Sequence, residues 1–369
     1  TIDKIKSTFA FTKHIDILGI PLQIFMLTDV LLKNKENYLD LLNNKFLLTD
    51  MYRYFIEGKF KFFYEGKVPV NNDFWQEKVR KEKEEKLKQY EKLALKVIFP
   101  ENVLKQLNID YSQTIESVSE DFATVGIMTG LQNGIPQFGH ASFAEYFVAL
   151  YFSRNFEMIH RDIFFDAKYN NVRFFFDMLT GKNSPVHIAI LYRNFDEVEN
   201  FDDEIIKRKD ECGRSALHLI CSWGRRHERL NVQTESGGYV IEATREIMSS
   251  SLETKQYLKA LLFLLDKCEI LEEDFLHQLT PLAWAQESDS LGAELELLQS
   301  CKLQLKDSYS RIDKINILFF AALHGYAEVF KILFSSSSIS NEEVNFSVEF
   351  DGSTPLMIAS REGHETVVE

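Results

Sequence analysis

The feature that most constrains the fold of this 369-residue chain is a short pattern that recurs through its second half. The clearest copy is Asp-Gly-Ser-Thr-Pro-Leu-Met-Ile-Ala-Ser-Arg-Glu-Gly-His at residues 351–364, and weaker copies open at Ser184, Ser215, Thr280 and Asn316. From the first opening residue to Thr354, successive separations are 31, 65, 36 and 38 residues. Such self-similarity predicts a stack of small units, each burying its apolar face against its neighbours.

The clearest copy carries the start and stop signals of a short helix. The hydroxyl of Thr354 can cap the helix, and Pro355 suits the first helical position, where no amide donor is needed. Leu356 and Ala359 are predicted to point inward, three residues apart on one face. Gly363 is predicted to end the helix in a left-handed conformation.

The pattern resembles the ankyrin repeat, a helix pair with a period of about 33 residues. The resemblance implies that His187 and His218, at the fourth position of their copies, tie down the turns between repeats, as does His364 after the glycine that ends its helix. It therefore assigns structural roles, besides those of residues 354–363, to Ser184, Pro185, His187, His218, Thr280, Pro281, Gly325 and His364.

The separation of 65 residues is twice the usual period, so it holds either a missing repeat or an insertion. We favour an insertion at about residues 225–253, because this stretch is polar and contains Gly237 and Gly238. Residues 257–265 are apolar enough to form the second, buried helix of the repeat that opens at Ser215. The insertion is expected to form a loop or an extra hairpin.

Family resemblance also points to the partner-binding residues. In ankyrin proteins the turn before each first helix projects as a finger and contacts a protein partner. Carried onto this chain, the predicted partner-binding residues are Asp210, Glu211, Arg214, His277, Gln278, Asp351, Gly352 and Ser353. The identity of the partner does not follow from them.

The N-terminal half carries helical patterns of another kind. Residues 18–32 are apolar around most of the helix, which is expected to be largely buried and to start near Pro21. The run at residues 138–152 is also apolar, and Ser142 with Glu145 predicts a capping box. Residues 77–96 predict a solvated surface helix with one narrow apolar stripe, a coiled-coil arm being the alternative.

The run Phe-x-His-x-Ser-Phe-x-Glu-Tyr-Phe-x-Ala that opens at Phe138 resembles the helical region following the nucleotide-binding core of NACHT-type signalling ATPases. The resemblance covers roughly residues 10–160, and it makes His140, which stands just before the capping box, a candidate contact to a nucleotide domain. The sequence contains no Gly-x-x-x-x-Gly-Lys-Ser/Thr run to cradle phosphates. We therefore expect no ATP hydrolysis by this chain itself.

Composition and motifs exclude several function classes. A formal charge of −14 and a pI near 5.2 argue against nucleic acid or an anionic membrane as a partner. Residues 17–27 are too short an apolar stretch to span a membrane. His227 and Glu228 lack the second histidine of a zinc protease, and four cysteines without a Cys-x-x-Cys pair predict neither a metal site nor disulfides. We expect a cytoplasmic protein with no catalytic residues and no cofactor or metal in this chain.

These observations predict an all-α chain, a helical bundle followed by an ankyrin-repeat solenoid. The predicted divisions are residues 1–161 for a NACHT-associated-like helical domain, 162–183 for junction or capping helices, and 184–369 for the repeats, the last of them truncated. The predicted function is protein–protein interaction within a larger signalling or adaptor protein. The alternative is a sensor or autoinhibitory segment of a NACHT-type ATPase, whose upstream nucleotide-binding domain would then be a partner.

Overall fold

The computed structural model is built from α-helices and two β-hairpins, which confirms the all-α class. It describes residues 21–33, 46–65, 73–109, 121–223, 232–235, 238–241, 252–288, 290, 293, 297, 311–335, 339–347 and 352–369. The chain divides into two compact units, Thr1–Asn194 and Phe195–Glu369. The predicted limits at 161 and 183 stay predictions.

Helices of very different lengths make up the N-terminal unit. They are α1 (Pro21–Lys33), α2 (Leu48–Tyr64), α3 (Asp73–Ile98), α4 (Glu101–Gln106), α5 (Asp121–Thr124), α6 (Ala141–Arg154), α7 (Arg161–Phe164), α8 (Asn170–Gly181) and α9 (Pro185–Leu191), with 3-10 turns at Phe156–Met158 and Ala167–Tyr169. Strands β1 (Met128–Gln132) and β2 (Ile135–Phe138) pair antiparallel around Asn133 and Gly134. Both of these turn residues have positive φ, as a two-residue hairpin loop requires.

Aromatic side chains form the core of the N-terminal unit. Helix α6 packs against α3 and α8, and its residues Phe143 and Tyr146 meet Tyr52 of α2 at ring-centroid distances of 5.5 and 5.2 Å. Tyr90 of α3 stacks on Phe147 at 5.5 Å. Each of these rings is buried, so α6 lies inside the unit, as the apolar pattern predicts.

The start of α6 differs from the prediction. The helix begins at Ala141, and the side chain of His140 accepts the amide hydrogen of Ser142 at 3.1 Å. Ser142 is already inside the first turn, so it does not open a capping box. Its hydroxyl instead accepts a hydrogen bond from Tyr52 at 2.7 Å, and Glu145 accepts one from Asn171 at 3.0 Å. The predicted capping box is wrong because His140 occupies the cap position.

Two other helices are buried to a different degree than predicted. The first half of α3 is solvated, but its second half buries Tyr90, Ala94 and even Glu91, which pairs with Arg154. Its apolar stripe is therefore wider than the spacing indicates. Helix α1 buries Met26 and leaves its opposite face exposed, so burial around the whole helix is not observed.

The C-terminal unit contains the predicted series of short helices. They are α10 (Asp203–Ile206), α11 (Ala216–Trp223), α12 (Leu252–Lys267), α13 (Pro281–Glu287), α14 (Arg311–His324), α15 (Ala327–Ser335), α16 (Asn341–Val344), α17 (Pro355–Arg361) and α18 (Glu365–Val368), with a 3-10 helix at Phe195–Asn200. Helix α11 packs against α12 and α13, and α14 packs against α15 and α17. Each helix therefore covers the apolar face of its neighbours.

The predicted extra segment contains a hairpin. Strands β3 (Val232–Glu235) and β4 (Gly238–Ile241) pair antiparallel, and the rest of residues 225–251 lies outside the described residues. After it, α12 buries Tyr257, Leu261 and Leu264, as predicted for the second helix of this repeat. In chain order, the hairpin thus lies between α11 and α12, two helices that pack together.

Most start and stop signals of the repeats are confirmed. Thr280 accepts the amide hydrogen of Ala283 at 3.4 Å, and Thr354 accepts that of Met357 at 3.3 Å. Gly363 follows α17 with φ of +79°. By contrast, α14 starts at Arg311, five residues before Asn316, so that copy has an extra helical turn.

The inward position predicted for Leu356 is wrong. Its side chain is 55% exposed, whereas Ile358 and Ala359 are buried against α14. The corresponding Leu217 and Leu318 are fully buried in their copies. Within the described residues, nothing covers the far side of the last repeat, so Leu356 stays in solvent.

We expect Thr354→Ala to lower the free energy of unfolding by about 1 kcal/mol, because one amide at the start of α17 loses its acceptor. Urea denaturation followed by circular dichroism measures the change. Ser360→Ala, at an exposed position on the same helix, is the control and should leave stability nearly unchanged. Equal midpoints for all three proteins would contradict the cap at Thr354.

Candidate protein-binding surface

The first projecting turn, residues 210–214, is organised by the carboxylate of Asp210. Its Oδ1 accepts the amide hydrogens of Cys212 and Arg214, each at 2.9 Å, and its Oδ2 pairs with the Arg214 guanidinium at 2.6 Å. Gly213 lies in the left-handed region with φ of +73°. The Arg214 side chain has no solvent exposure and lies 5.3 Å from the ring centre of Trp284. The conformation of this turn is therefore held by buried interactions of its own residues.

The second turn, residues 274–279, repeats this arrangement with Asp274. The buried carboxylate accepts the amide hydrogens of His277 at 2.6 Å and Leu279 at 3.3 Å, and also the indole hydrogen of Trp284 at 2.5 Å. Gln278 takes the left-handed conformation with φ of +55°. Both turns thus combine an internal aspartate with one residue of positive φ.

The two turns contact each other directly. The amide of Phe275 donates to the carbonyl of Cys212 at 2.8 Å, and a Cβ on Gly213 would lie 2.5 Å from the Phe275 ring. Lys209 and Glu272 add an ion pair at 2.5 Å. Neighbouring turns are therefore joined through both backbone and side chains.

The predicted partner-binding residues separate into exposed and buried groups. Glu211, Gln278 and Gly352 are exposed, His277 and Ser353 are half-buried, and Asp351 lies outside the described residues. Asp210 and Arg214 have fully buried side chains, so their assignment as partner-binding residues is wrong. Their opposite charges neutralise each other inside the turn, which the prediction did not consider.

Three residues of this surface were missed. Asp274 and Trp284 support the second turn from inside, and Phe275 projects from it. The position of Asp274, six residues before Thr280, parallels that of Asp210, five residues before Ser215. This parallel was a usable signal for the buried aspartate, whereas nothing local indicated the exposure of Phe275.

Two of the three repeat histidines contact a neighbouring copy. The Nε2 of His218 lies 3.1 Å from the carbonyl oxygen of Leu279, and that of His364 lies 2.9 Å from the carbonyl oxygen of Leu323. His187 lies 2.6 Å from the hydroxyl of Ser184 through its Nδ1. The contacts of His218 and His364 therefore join successive copies, whereas this contact of His187 lies within its own copy.

The geometry of His218 fixes its protonation state. Its Nδ1 accepts the amide hydrogen of Ser215 at 3.2 Å, so the proton of the neutral ring resides on Nε2 and is donated to Leu279. Burial lowers the pKa of His218 to about 4, outweighing the opposite effect of the nearby Asp274. The ring is thus neutral at physiological pH.

A family model described as "Ankyrin repeats (3 copies)" matches residues 284–369. This segment consists of ankyrin repeats. The match covers α14 to α18 and most of α13. No curated protein matches the chain.

The ankyrin segment contains two apolar clusters on the two sides of α14. One joins α14 to α15 through Ile317, Ala321 and Val329, and the other joins α14 to α17 through Phe319 and Ile358, with further members in each. Because α14 contributes to both, it is the central element of the ankyrin segment.

We expect Gly325→Ala to destabilise the ankyrin segment by about 2 kcal/mol. Gly325 has φ of +74°, and an added Cβ would lie 2.6 Å from Nδ1 of His364, the histidine bonded to Leu323. Gly363→Ala is the control, because it has a similar φ of +79° but open space around the new Cβ. Thermal unfolding should show a larger loss for Gly325→Ala, and equal losses would contradict the contact with His364.

In the described ranges, no group of three or more His, Cys, Asp and Glu side chains is arranged to hold a metal ion. No helix among those described is both long and apolar enough to cross a membrane.

Proposed function

We propose that the chain binds a protein partner through the projecting turns of its C-terminal unit, as the recognition segment of a cytoplasmic signalling or adaptor protein. Ankyrin repeats form extended protein-interaction surfaces. The observation that carries the proposal is the pair of turns at residues 210–214 and 274–279, each with exposed side chains on a buried frame. Gly352 and Ser353 are the corresponding residues before the first helix of the last repeat.

The rigidity of the turns supports a binding role. Asp210 and Asp274 satisfy the turn amides internally, so the exposed side chains of Glu211 and Gln278 are presented from a fixed backbone. Binding through such a surface loses little conformational entropy. Both aspartates therefore contribute to recognition indirectly.

The proposal includes no catalysis, cofactor or nucleic acid. The charge of −14 disfavours phosphate backbones as ligands, and the strongly perturbed histidine, His218, is buried and used to join two repeats. Protein recognition by the exposed side chains of the two turns is thus the function that we propose.

The test is affinity capture with the full chain as bait, followed by mass spectrometry. The variant Glu211→Lys/Gln278→Lys should lose the captured protein, because two exposed positions of the turn surface change charge. Glu85→Lys, at an exposed position of α3 in the other unit, is the matched control and should keep it. Capture that the turn variant does not weaken would exclude this surface as the binding site.

The sequence of α6 favours a second candidate function, a sensor or autoinhibitory segment of a NACHT-type ATPase. The candidate rests on the resemblance of the run at residues 138–149, whose Phe143 and Phe147 are buried in the aromatic core. It requires a phosphate-binding lysine encoded upstream of residue 1. Partner affinity of the full-length protein that is unchanged by ATP or ADP would count against it.

A further inference from the structure

An exposed aromatic side chain projects from the second turn of the C-terminal unit. Phe275 is 66% exposed, and Leu271, four residues earlier, is 70% exposed. Both belong to the segment between α12 and α13, beside Glu273. We name Glu211, Leu271, Glu273 and Phe275 together the Phe275 surface.

The Phe275 ring is held in place although it is exposed. Its amide is bonded to Cys212, its ring lies against the backbone of Gly213, and the Lys209 ammonium lies 5.8 Å from the ring centre. A ring fixed in this way loses little freedom when a partner covers it. Large aromatic side chains presented so are common binding anchors.

Both turns beside this ring carry an exposed carboxylate. Glu211 and Glu273 are exposed, one in each turn. Two cations of this region are paired, Lys209 with Glu272 and the buried Arg214 with Asp210. An apolar centre with carboxylates at its edge is complementary to an apolar side chain flanked by cations.

We infer that the Phe275 surface binds a segment of a partner protein in which an aromatic or aliphatic side chain is flanked by lysine or arginine. This inference rests on the proposed function and adds the chemistry of the partner. The apolar side chain packs against Phe275 and Leu271, and the cations approach Glu211 and Glu273.

The test is selection of a displayed library of random 12-residue peptides on the full chain. The enriched peptides should combine Lys or Arg with Phe, Trp, Leu or Ile. The double variant Leu271→Ser/Phe275→Ser should weaken their binding at least about tenfold, and raising the salt concentration should weaken binding to the unmodified chain. Glu273→Lys should weaken it as well.

Leu262→Ser is the matched control, because Leu262 is an exposed leucine on α12 of the same unit. It should leave peptide affinity unchanged, and circular dichroism should show that every variant is folded. Enriched peptides that bind the double variant equally well, or that are acidic, would overturn the inference while leaving the proposed function intact. The absence of any enriched peptide would also overturn the inference, whereas the proposed function stands or falls with the affinity capture.

Discussion

Asp210→Ala should lower the free energy of unfolding of the C-terminal unit by about 3–5 kcal/mol, since it leaves a buried cation without its counter-charge. The Arg214 guanidinium has no exposure to water, and the Asp210 carboxylate also accepts two amide hydrogens of the turn. All three interactions disappear together. Urea denaturation followed by tryptophan fluorescence, to which Trp284 beside Arg214 contributes, reports the loss.

Two further variants test whether the stability lost in Asp210→Ala comes from the unpaired buried charge of Arg214. Asp203→Ala removes an aspartate whose ion pair with Lys267 is at the surface, so it should cost less than about 1 kcal/mol. Asp210→Ala/Arg214→Leu removes both buried charges and should recover much of the stability lost by Asp210→Ala. A double variant no more stable than the single one would contradict the buried charge as the cause.

The buried pair of Asp210 and Arg214 shows which features of the turn could not be predicted from the sequence. Residues 210–214 were expected to project because the pattern places a turn there, and the turn is indeed present. Which side chains of a turn face inward depends on what lies behind it, here Trp284, seventy residues after Arg214 in the chain. Local sequence carries no information about that contact.

Helix boundaries show the contrast between local and distant causes equally well. Thr354 and Gly363 were predicted correctly because each acts within its own helix turn. The pattern Ser-x-x-Glu forms a true capping box at Ser340, but not at Ser142. The two sites differ because His140 caps α6 and Tyr52, ninety residues away, uses the Ser142 hydroxyl.

The binding surface was predictable in its position but only partly in its chemistry. Glu211 and Gln278 are exposed as expected from the turn pattern. The exposure of Phe275 was not predicted, because an aromatic residue beside a turn is normally assigned to the core. It is exposed here because Gly213 of the preceding turn offers only a flat backbone against which one face of the ring lies.

Acidification should destabilise the C-terminal unit through His218. Burial lowers the pKa of this histidine from an ordinary value of 6.5 to about 4 in the native state. Between these two pH values the unfolded chain binds a proton at His218 and the native protein does not, so the free energy of unfolding falls as the pH falls. A difference of this size corresponds to about 3 kcal/mol of stability, present above pH 6.5 and lost by about pH 4.

His218→Gln tests this linkage, because glutamine can still donate to the Leu279 carbonyl but binds no proton in this range. The variant should be less stable than the parent at pH 7, where it lacks the packing of the imidazole against Trp284. Between pH 6.5 and 4, the free energy of unfolding of the variant should nevertheless fall by about 3 kcal/mol less than that of the parent. Urea denaturation at half-unit pH steps measures both slopes. Since all carboxylates are present in both proteins, the difference isolates the histidine, and parallel curves would show that the pKa of His218 is not lowered in the native state.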